Sequence, residues 1–321
     1  MRANKIIVSL TVIAVFCSVY AAASDSVLDK EKYEEKFEKT VALNKDGKVI
    51  LRNISGDIEV RTWNRAEVKI DALKVSRAST MSKAKENADL VKIEITEENN
   101  VVRIETVYPK KTDSLFRKGI NVSIGYVLMV PEKAEAEMKT VSGDVEMFNI
   151  GAAARAETVS GDIRLEKIDG PVRVNAVSGD LELDGINGDA ELKTVSGEIE
   201  VNRIEGSVDA ETVSGGIDLA GISGAEEVRA KTVSGGVDYE GDILPRGSYR
   251  FSVHSGGIRL NIPADSAFDL EAKTFSGDID SDFDIRVSGK LSKREIRGSV
   301  NGGGAELALK SFSGGIRLRK K

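Results

Sequence analysis

Cysteine, histidine and tryptophan are almost absent from this sequence of 321 residues, since each occurs once. The single cysteine, Cys17, lies in an apolar N-terminal segment, so the rest of the chain can form no disulfide and offers no thiol chemistry. The single histidine, His254, has no second histidine or nearby cysteine with which to share a metal ion. Aromatic residues make up only 5% of the chain, which leaves few platforms for stacking sugars.

Long apolar runs are also scarce, and the one at the N-terminus is short. Residues 1–23 contain two basic residues and an apolar run over 6–19, and they end in three consecutive alanines. A run of about 14 residues falls short of the roughly 20 that span a bilayer, so it predicts a signal peptide cleaved after Ala23. Phe16 before Cys17 disfavours a lipid-anchored cysteine. We therefore expect an extracytoplasmic protein, in the periplasm or at the cell surface, without a transmembrane anchor.

The charge is unevenly distributed along the chain. The formal net charge of −6 becomes −8 without the two basic residues of the signal peptide, which disfavours nucleic-acid binding. Residues 286–321, in contrast, contain ten basic and two acidic residues. This basic end could make weak, salt-sensitive contacts with an anionic polymer or lipid. Alternatively, it keeps the last strand from pairing with another molecule, and we favour this protective role. The candidate residues are Lys290, Lys293, Arg294, Arg297, Arg317, Arg319, Lys320 and Lys321.

What the sequence has in abundance is a repeat. The residue two positions before each repeated glycine alternates between valine and isoleucine, so a nonapeptide comes in two forms and the true period is eighteen residues. The glycines that recur at a spacing of nine are Gly161, Gly170, Gly179, Gly188, Gly197, Gly206, Gly215 and Gly224.

Apolar and polar residues alternate within each nonapeptide, as in Ile163, Arg164 and Leu165, which indicates strands with one buried face. An antiparallel meander could show the same spacing. In a meander, however, strands n and n+2 are not neighbours and need not match, whereas a two-sided solenoid stacks them directly. The match at eighteen residues therefore favours the solenoid, with Ser-Gly at each corner. One column of equivalent residues is Ser142, Ser160, Ser178, Ser196 and Ser214.

The sequence thus predicts an all-β fold, with a two-sided parallel β-solenoid over residues 131–321. Its coils span 18–21 residues, and nine or ten of them would extend on the order of 45 Å. The residue before Ser-Gly enlarges from valine to His254, Phe275 and Phe312 towards the C-terminus, and we expect this position to point inward. His254 could serve as a pH sensor, but a hydrogen-bonded core or corner role is favoured.

Residues 40–130 have further strand patterns and predict an N-terminal β-rich cap that covers the open edge of the first coil. Within this cap, STMSKAKENADL predicts a short helix capped by Ser79 or Thr80. Residues 24–39 form a charged leader that is compatible with a helix.

The strings FEKTVAL, ISGDIEVRTWNRAEVKI and KTVSGDV, followed by the repeats, resemble the bacterial putative-adhesin family of secreted β-strand-repeat proteins. The resemblance covers residues 37–318. It implies a non-enzymatic envelope protein, and the family defines no functional residues to transfer to this chain.

Calcium-binding nonapeptide repeats also form two-sided rolls, with aspartates at their corners. Here Asp57, Asp144, Asp162 and Asp180 follow Ser-Gly, but glycine takes the same place in several later copies, such as Gly216. About half of the repeats would then lack an acidic calcium ligand at this position. We therefore favour a role for the aspartates in stabilising the turns over a role in metal binding. We expect no metal and no cofactor.

Polysaccharide-active enzymes use parallel β-helices with long loops around a cleft, whereas these coils are minimal. Neighbouring carboxylates such as Glu182 and Glu200 are interpreted as a solvated face. We therefore predict a secreted, non-enzymatic scaffold or adhesin-like interaction surface, whose partner is another envelope protein or a surface polymer. The alternatives are a ligand-binding or stress-sensing envelope module and, after it, an envelope enzyme.

Overall fold

A computed structural model describes residues 30–109, 120–288, 292 and 294–321. The predicted signal peptide, and the leader up to residue 29, lie outside these residues. One helix is seen among them, α1 (Met81–Leu90). The strands in chain order are β1 (Glu31–Ala42), β2 (Lys48–Arg52), β3 (Ile58–Trp63), β4 (Glu67–Ala78), β5 (Lys92–Glu98), β6 (Val101–Val107), β7 (Val122–Pro131), β8 (Glu135–Lys139), β9 (Val145–Phe148), β10 (Ala154–Glu157), β11 (Ile163–Ile168), β12 (Val172–Asn175), β13 (Leu181–Asn187), β14 (Ala190–Lys193), β15 (Ile199–Glu205), β16 (Val208–Ser214), β17 (Ile217–Ser223), β18 (Glu227–Ser234), β19 (Val237–Gly241), β20 (Ser248–Ser255), β21 (Ile258–Ile262), β22 (Phe268–Ser276), β23 (Ile279–Ser281), β24 (Arg286–Val287), β25 (Glu295–Val300), β26 (Ala305–Ser313) and β27 (Ile316–Lys320).

The strands form two sheets, which we call sheet A, with 13 strands, and sheet B, with 14. From β8 to β21, successive strands alternate between the sheets, so each of these strands pairs in parallel with the strand two places along the chain. Val172 of β12, for example, lies beside Ala154 of β10 and Ala190 of β14, at intervals of eighteen residues. The two-sided parallel β-solenoid predicted from the repeat is therefore confirmed.

The core lies between the two sheets and follows the two-residue alternation. Ile163 and Leu165 of sheet A are fully buried, as are Ala156 and Val174 of sheet B. Each layer of the solenoid contributes one strand to each sheet. The ten layers run from β2 and β3, layer 1, to β22 and β23, layer 10.

The order of the layers departs from the order of the chain at the C-terminal end. Strand β26 lies between β20 and β22, and β27 lies between β21 and β23. The last coil of the sequence is therefore layer 9, inserted between layers 8 and 10. The basic end was expected to protect a terminal strand from pairing. That expectation is wrong for β27, because both of its edges are already paired within the molecule.

Other elements cover the ends of the solenoid. At layer 10, β25 pairs antiparallel with β22, and β24 pairs antiparallel with β25. At layer 1, β7 and β6 extend the sheets in parallel, and β4, β1 and β5 continue them antiparallel. The outermost strands are therefore β1 and β23 in sheet A and β5 and β24 in sheet B.

Two local predictions for the N-terminal region have different outcomes. The short helix is confirmed as α1, with Thr80 as the N-cap that accepts a hydrogen bond from the Lys83 amide at 3.3 Å. The helical leader is wrong for residues 31–39, which form most of β1, because their alternating side chains pair along β4. The division into residues 24–39, 40–130 and 131–321 stays a prediction. Among the described residues, no helix has the length and apolar character needed to cross a bilayer.

Candidate functional site

The corners of the solenoid set the geometry of its surface, and glycine is required there. Gly179 has a φ of +153°, and a Cβ on it would lie 1.8 Å from the carbonyl oxygen of Gly161 in the layer below. A side chain is thus excluded both by the backbone angle and by the closeness of the layers. This constraint explains why Ser-Gly recurs with the period of a full coil.

The aspartates that follow Ser-Gly bind the backbone of the next layer. The Asp162 carboxylate accepts a hydrogen bond from the Asp180 amide at 2.8 Å, and Asp180 accepts one from the Glu198 amide at 2.8 Å. Asp57 and Asp144 do the same in the earlier layers. Turn chemistry therefore accounts for the acidic residues at these corners. Among the described residues, no cluster of three or more His, Cys, Asp or Glu side chains is placed to hold a metal ion.

Substitution of Asp180 by alanine should lower the free energy of unfolding by about 1 kcal/mol, because the Glu198 amide loses its acceptor. Asp278 provides the matched control, since it occupies the equivalent corner in layer 10 and its side chain accepts no hydrogen bond from any described residue. Asp278→Ala should change stability by less than about 0.5 kcal/mol. Urea unfolding of both variants measures the difference, and equal losses of stability would contradict the hydrogen bonds described between corner aspartates and the next layer.

In many coils a threonine lies two residues before the serine of the Ser-Gly corner, and its side chain points inward. This direction overturns the prediction made for the residue that follows it. Thr212 is buried and donates to the carbonyl of Gly197 at 3.2 Å, and Thr232 donates to that of Gly215 at 2.9 Å. Because side chains alternate along a strand, the next residue must point outward. The position before Ser-Gly is therefore exposed, and the expectation that valine, His254, Phe275 and Phe312 line the interior is wrong. Counting the alternation from the threonine column would have given the correct direction.

These outward residues form one continuous apolar line, which we call the ridge. Equivalent members lie on adjacent strands, as the pairing of Ser160 with Ser178 and of Ser178 with Ser196 shows. The exposed fraction is 46% for Val177 and 65% for Phe275, although both are large apolar side chains. The ridge residues from layer 1 to layer 10 are Ile54, Val141, Val159, Val177, Val195, Val213, Val233, His254, Phe312 and Phe275.

The ridge ends in three stacked rings. The ring centroids of His254 and Phe312 are 4.7 Å apart and those of Phe312 and Phe275 are 4.8 Å apart, with interplanar angles of 9° and 2°. The inserted layer 9 completes this stack, because it places Phe312 between His254 of layer 8 and Phe275 of layer 10. His254 is an exposed member of the stack, so its expected inward position is wrong. The pH-sensor role was the less favoured alternative, and the structure does not test it.

The sheet B surface beside the ridge consists of ion pairs between and along strands. Arg173 and Lys193 both contact Glu191 at 2.6 Å, and Lys231 contacts Glu211 at 2.6 Å. Hydrogen bonds from Lys193 and Lys231 hold the pKa of Glu191 and of Glu211 below its usual value. An open groove of about 580 Å³ crosses this face, and its lining includes Arg173 and Glu191. Mutual pairing is the arrangement of a solvated surface rather than of an acid–base site.

The sheet A surface on the other side of the corner has a run of acidic residues instead. Glu182, Glu200, Asp218 and Asp238 lie on adjacent strands in equivalent positions. Burial, and the neighbouring charges of Asp238 and Glu200, raise the pKa of Asp218. The repulsion in this column disfavours the charged form in the folded protein.

Substitution of Asp218 by asparagine should therefore raise the melting temperature at pH 7. A carboxyl whose pKa is raised by folding costs stability while it is ionised, and this cost disappears as the pH falls below its pKa in the unfolded chain. The gain at pH 7 should be below about 1 kcal/mol, because the site is partly solvated, and it should vanish near pH 3. Asp184→Asn, which removes an ion pair with Arg203, is the control and should lower stability at pH 7. Thermal unfolding at both pH values tests the sign, and a destabilised Asp218→Asn protein at pH 7 would contradict it.

The structure does not gather the predicted basic residues into one cluster. Arg294 and Arg297 lie at or in β25 of sheet B, whereas Arg317, Arg319, Lys320 and Lys321 lie in or after β27 of sheet A. Several of them are already paired. Arg297 contacts Glu271 at 3.0 Å, Arg319 contacts Asp280 at 2.7 Å, and Lys321 contacts Glu240 at 2.6 Å. Lys320 lies over the ring of Phe283 at 5.4 Å. Lys290 and Lys293 lie outside the described residues.

Comparisons with known proteins identify the family of this chain. The model of the family described as Toastrack DUF4097 matches residues 47–243. No curated protein matches the chain.

Three solved structures match most of the chain at low sequence identity. A putative adhesin from Bacteroides fragilis has 13% identity and a TM-score of 0.46, with 88% of this chain and 97% of that chain covered. A putative cell adhesion protein from Clostridium sporogenes has 11% identity and a TM-score of 0.23, with 89% and 100% covered. A putative lipid binding protein from Parabacteroides distasonis has 14% identity and a TM-score of 0.42, with 89% and 97% covered. Since the family model matches more than half of the sequence, which agrees with the resemblance to putative adhesins, the chain belongs to the Toastrack DUF4097 family.

Proposed function

We propose that the protein is a secreted, non-enzymatic scaffold of the bacterial envelope whose ridge binds an extended partner. The observation that supports this proposal is the ridge itself. Its ten members follow each other at about 4.8 Å per layer, which gives a line of about 43 Å. Apolar side chains left in such continuous exposure mark interaction surfaces on soluble proteins. A narrow line suits an elongated partner, such as another envelope protein or a surface polymer, better than a small molecule.

The surroundings of the ridge agree with binding rather than catalysis. Beside its aliphatic part, Arg173 and Glu191 form an ion pair, as do Lys231 and Glu211, and the corner aspartates Asp162 and Asp180 accept backbone hydrogen bonds. A general acid or base needs a group that is free to exchange a proton with a substrate. The names of the similar structures, two of which are called adhesion proteins, are compatible with a binding role.

A triple variant, Val159→Ser, Val177→Ser and Val195→Ser, tests the proposed function. All three side chains are exposed, so the fold should tolerate serine. The loss of this apolar surface should lower the amount of protein retained in the cell envelope by about tenfold after fractionation. The control variant, Glu182→Gln with Glu200→Gln, changes exposed residues away from the ridge and should be retained like the original protein. Equal retention of the two variants would overturn the proposal.

The same experiment tests secretion. The N-terminus of the protein recovered from the envelope should be Ser24, as cleavage after Ala23 requires. Recovery of an intact N-terminus in the cytoplasmic fraction would contradict an extracytoplasmic role.

A further inference from the structure

The C-terminal end of the ridge differs in shape from the rest. Over layers 1 to 7 the ridge consists of branched aliphatic side chains, and over layers 8 to 10 it consists of the rings of His254, Phe312 and Phe275. The rings are nearly parallel to one another and stack along the solenoid axis. Their faces cover each other, so the surface that they present to solvent is made largely of ring edges. The stack is therefore an apolar blade that projects from the corner of the solenoid.

The cations nearest to this blade form no ion pair within 4.0 Å with a carboxylate of a described residue. Lys310 and Lys273 lie two positions before Phe312 and Phe275 on the same outward face of their strands. Arg317 follows the corner on the sheet A side, three residues after Gly314. Acidic residues occupy the neighbouring strands, where Glu295 lies opposite Lys273 and Asp280 lies beside Arg317. In layer 7, by contrast, the equivalent Lys231 is bound to Glu211 at 2.6 Å.

The corner beside the blade is flat. Glycine occupies the position after Ser-Gly in layers 8 and 9, as Gly257 and Gly315, where the first five layers have carboxylates. These two layers therefore place no side chain beside the rings on this side, whereas layer 10 has Asp278 next to its Ser-Gly corner. Positive charge lies on both sides of the blade, from Lys273 and Lys310 on sheet B and from Arg317 on sheet A.

We propose that this end of the ridge docks onto the surface of an anionic lipid bilayer. The edges of Phe312 and Phe275 enter the boundary between headgroups and acyl chains, and Lys273, Lys310 and Arg317 contact lipid phosphates. Apolar insertion combined with juxtaposed basic residues is the combination that holds a protein at such an interface. The inference deepens the proposed function, on which it rests, by naming the chemistry of one partner surface.

The geometry of the rings favours lipid over polysaccharide or a second copy of the chain. Sugars stack on the faces of aromatic rings, and here stacking within the protein covers most of those faces. A second copy would bring Lys310, Lys273 and Arg317 against the same cations if the two blades met. An anionic lipid surface offers acyl chains to the exposed ring edges and phosphates to the cations that form no ion pair.

Sedimentation with vesicles tests the proposal. The protein from Ser24 onward would be mixed with vesicles of phosphatidylcholine containing 30% phosphatidylglycerol, or of phosphatidylcholine alone, at low and at 0.5 M salt. We expect binding to the anionic vesicles at low salt and weaker binding at high salt. The double variant Phe275→Ala with Phe312→Ala should lower the partition coefficient at least about tenfold. The triple variant Lys273→Gln, Lys310→Gln and Arg317→Gln should lower it by about 100-fold, at roughly fivefold per cation.

The matched control is Leu73→Ala with Val127→Ala, which shortens two exposed apolar residues outside the ridge and should leave vesicle binding unchanged. Thermal unfolding of each variant shows whether the fold is retained, as exposed positions should allow. Absence of binding to anionic vesicles, or equal loss in the control and phenylalanine variants, would overturn the proposal. Binding to soluble polygalacturonate without binding to vesicles, or concentration-dependent dimerisation abolished by the phenylalanine variant, would also overturn it. The cell-envelope experiment with the serine variant is independent, so the scaffold proposal can survive if the lipid proposal fails.

Discussion

Replacement of Gly235 by alanine should prevent stable folding, whereas replacement of its neighbour Gly236 should be tolerated. Gly235 has a φ of +146°, and a Cβ on it would lie 2.0 Å from the carbonyl oxygen of Gly215 in the next layer. The layers on either side are fixed by parallel pairing, so the backbone cannot move away without breaking the ladder. The combined cost of backbone strain and separated layers should exceed about 4 kcal/mol.

Gly236 is a stringent control because it lies in the same corner. Its Cβ would meet only the carbonyl oxygen of Gly257, at 3.6 Å, an ordinary contact, and other layers have aspartate at this place. Circular dichroism and urea unfolding of the two purified variants should show an unfolded or strongly destabilised Gly235→Ala protein. Gly236→Ala should remain within about 1 kcal/mol of the original protein. Similar stability of the two variants would show that the corners are not stacked as closely as described.

Deletion of residues 305–321 should disrupt an internal layer and not merely shorten the solenoid. These residues form β26 and β27, which lie between layers 8 and 10. Without them β23 loses its one sheet partner among the described strands, and β22 keeps only β25. Amide protection over residues 268–281 should therefore fall on the order of 100-fold or more, although those residues are still present.

Hydrogen exchange followed by mass spectrometry measures this effect. Deletion of residues up to 42 is the control, because β1 is an edge strand that pairs only with β4. That deletion should lower protection in β4 and α1 and leave the central layers unchanged. Retention of full protection over residues 268–281 after the C-terminal deletion would contradict the inserted position of the last coil.

The main architecture could be predicted from the sequence because stacked coils impose a register on the residues themselves. A column such as Ser142, Ser160 and Ser178 must repeat with the length of a coil, since each member lies beside the next. The helix over Met81–Leu90 was predictable from its cap and its spacing, which are local features. Both features depend on interactions between residues at a fixed spacing, and this spacing is visible in the sequence.

The direction of the ridge and the position of the last coil depend on information that the pattern contains only weakly. Valine is common in cores, so the residue before Ser-Gly was expected inside. The threonine before it is polar and suggests an exposed position, but its hydroxyl is buried, and this sets the direction of the ridge. The coil of β26 and β27 has the same Ser-Gly motif as its neighbours, so the motif does not distinguish its place among the layers.

The candidate binding surface was likewise inaccessible to reasoning along the chain. Arg297 and Arg319 are close in sequence but lie in different sheets, and both are bound to acidic side chains. Phe275 and Phe312, which are 37 residues apart, are instead in contact. A surface composed of one residue per layer appears only when the order of the layers is known.

Distances between spin labels along the ridge test the central claim most directly. Pairs of labels would be attached to cysteines that replace exposed ridge residues, in a Cys17→Ser background, and measured by pulsed electron paramagnetic resonance. From Val141, the backbone separation should be about 19 Å to Val213, about 34 Å to Phe312 and about 38 Å to Phe275, at about 4.8 Å per layer. An antiparallel meander would instead place Val213 at about 38 Å, since each nonapeptide would then occupy its own position in one sheet. A separation near that value, or a label at Phe275 closer to Val141 than the label at Phe312, would contradict the stacked and inserted coils.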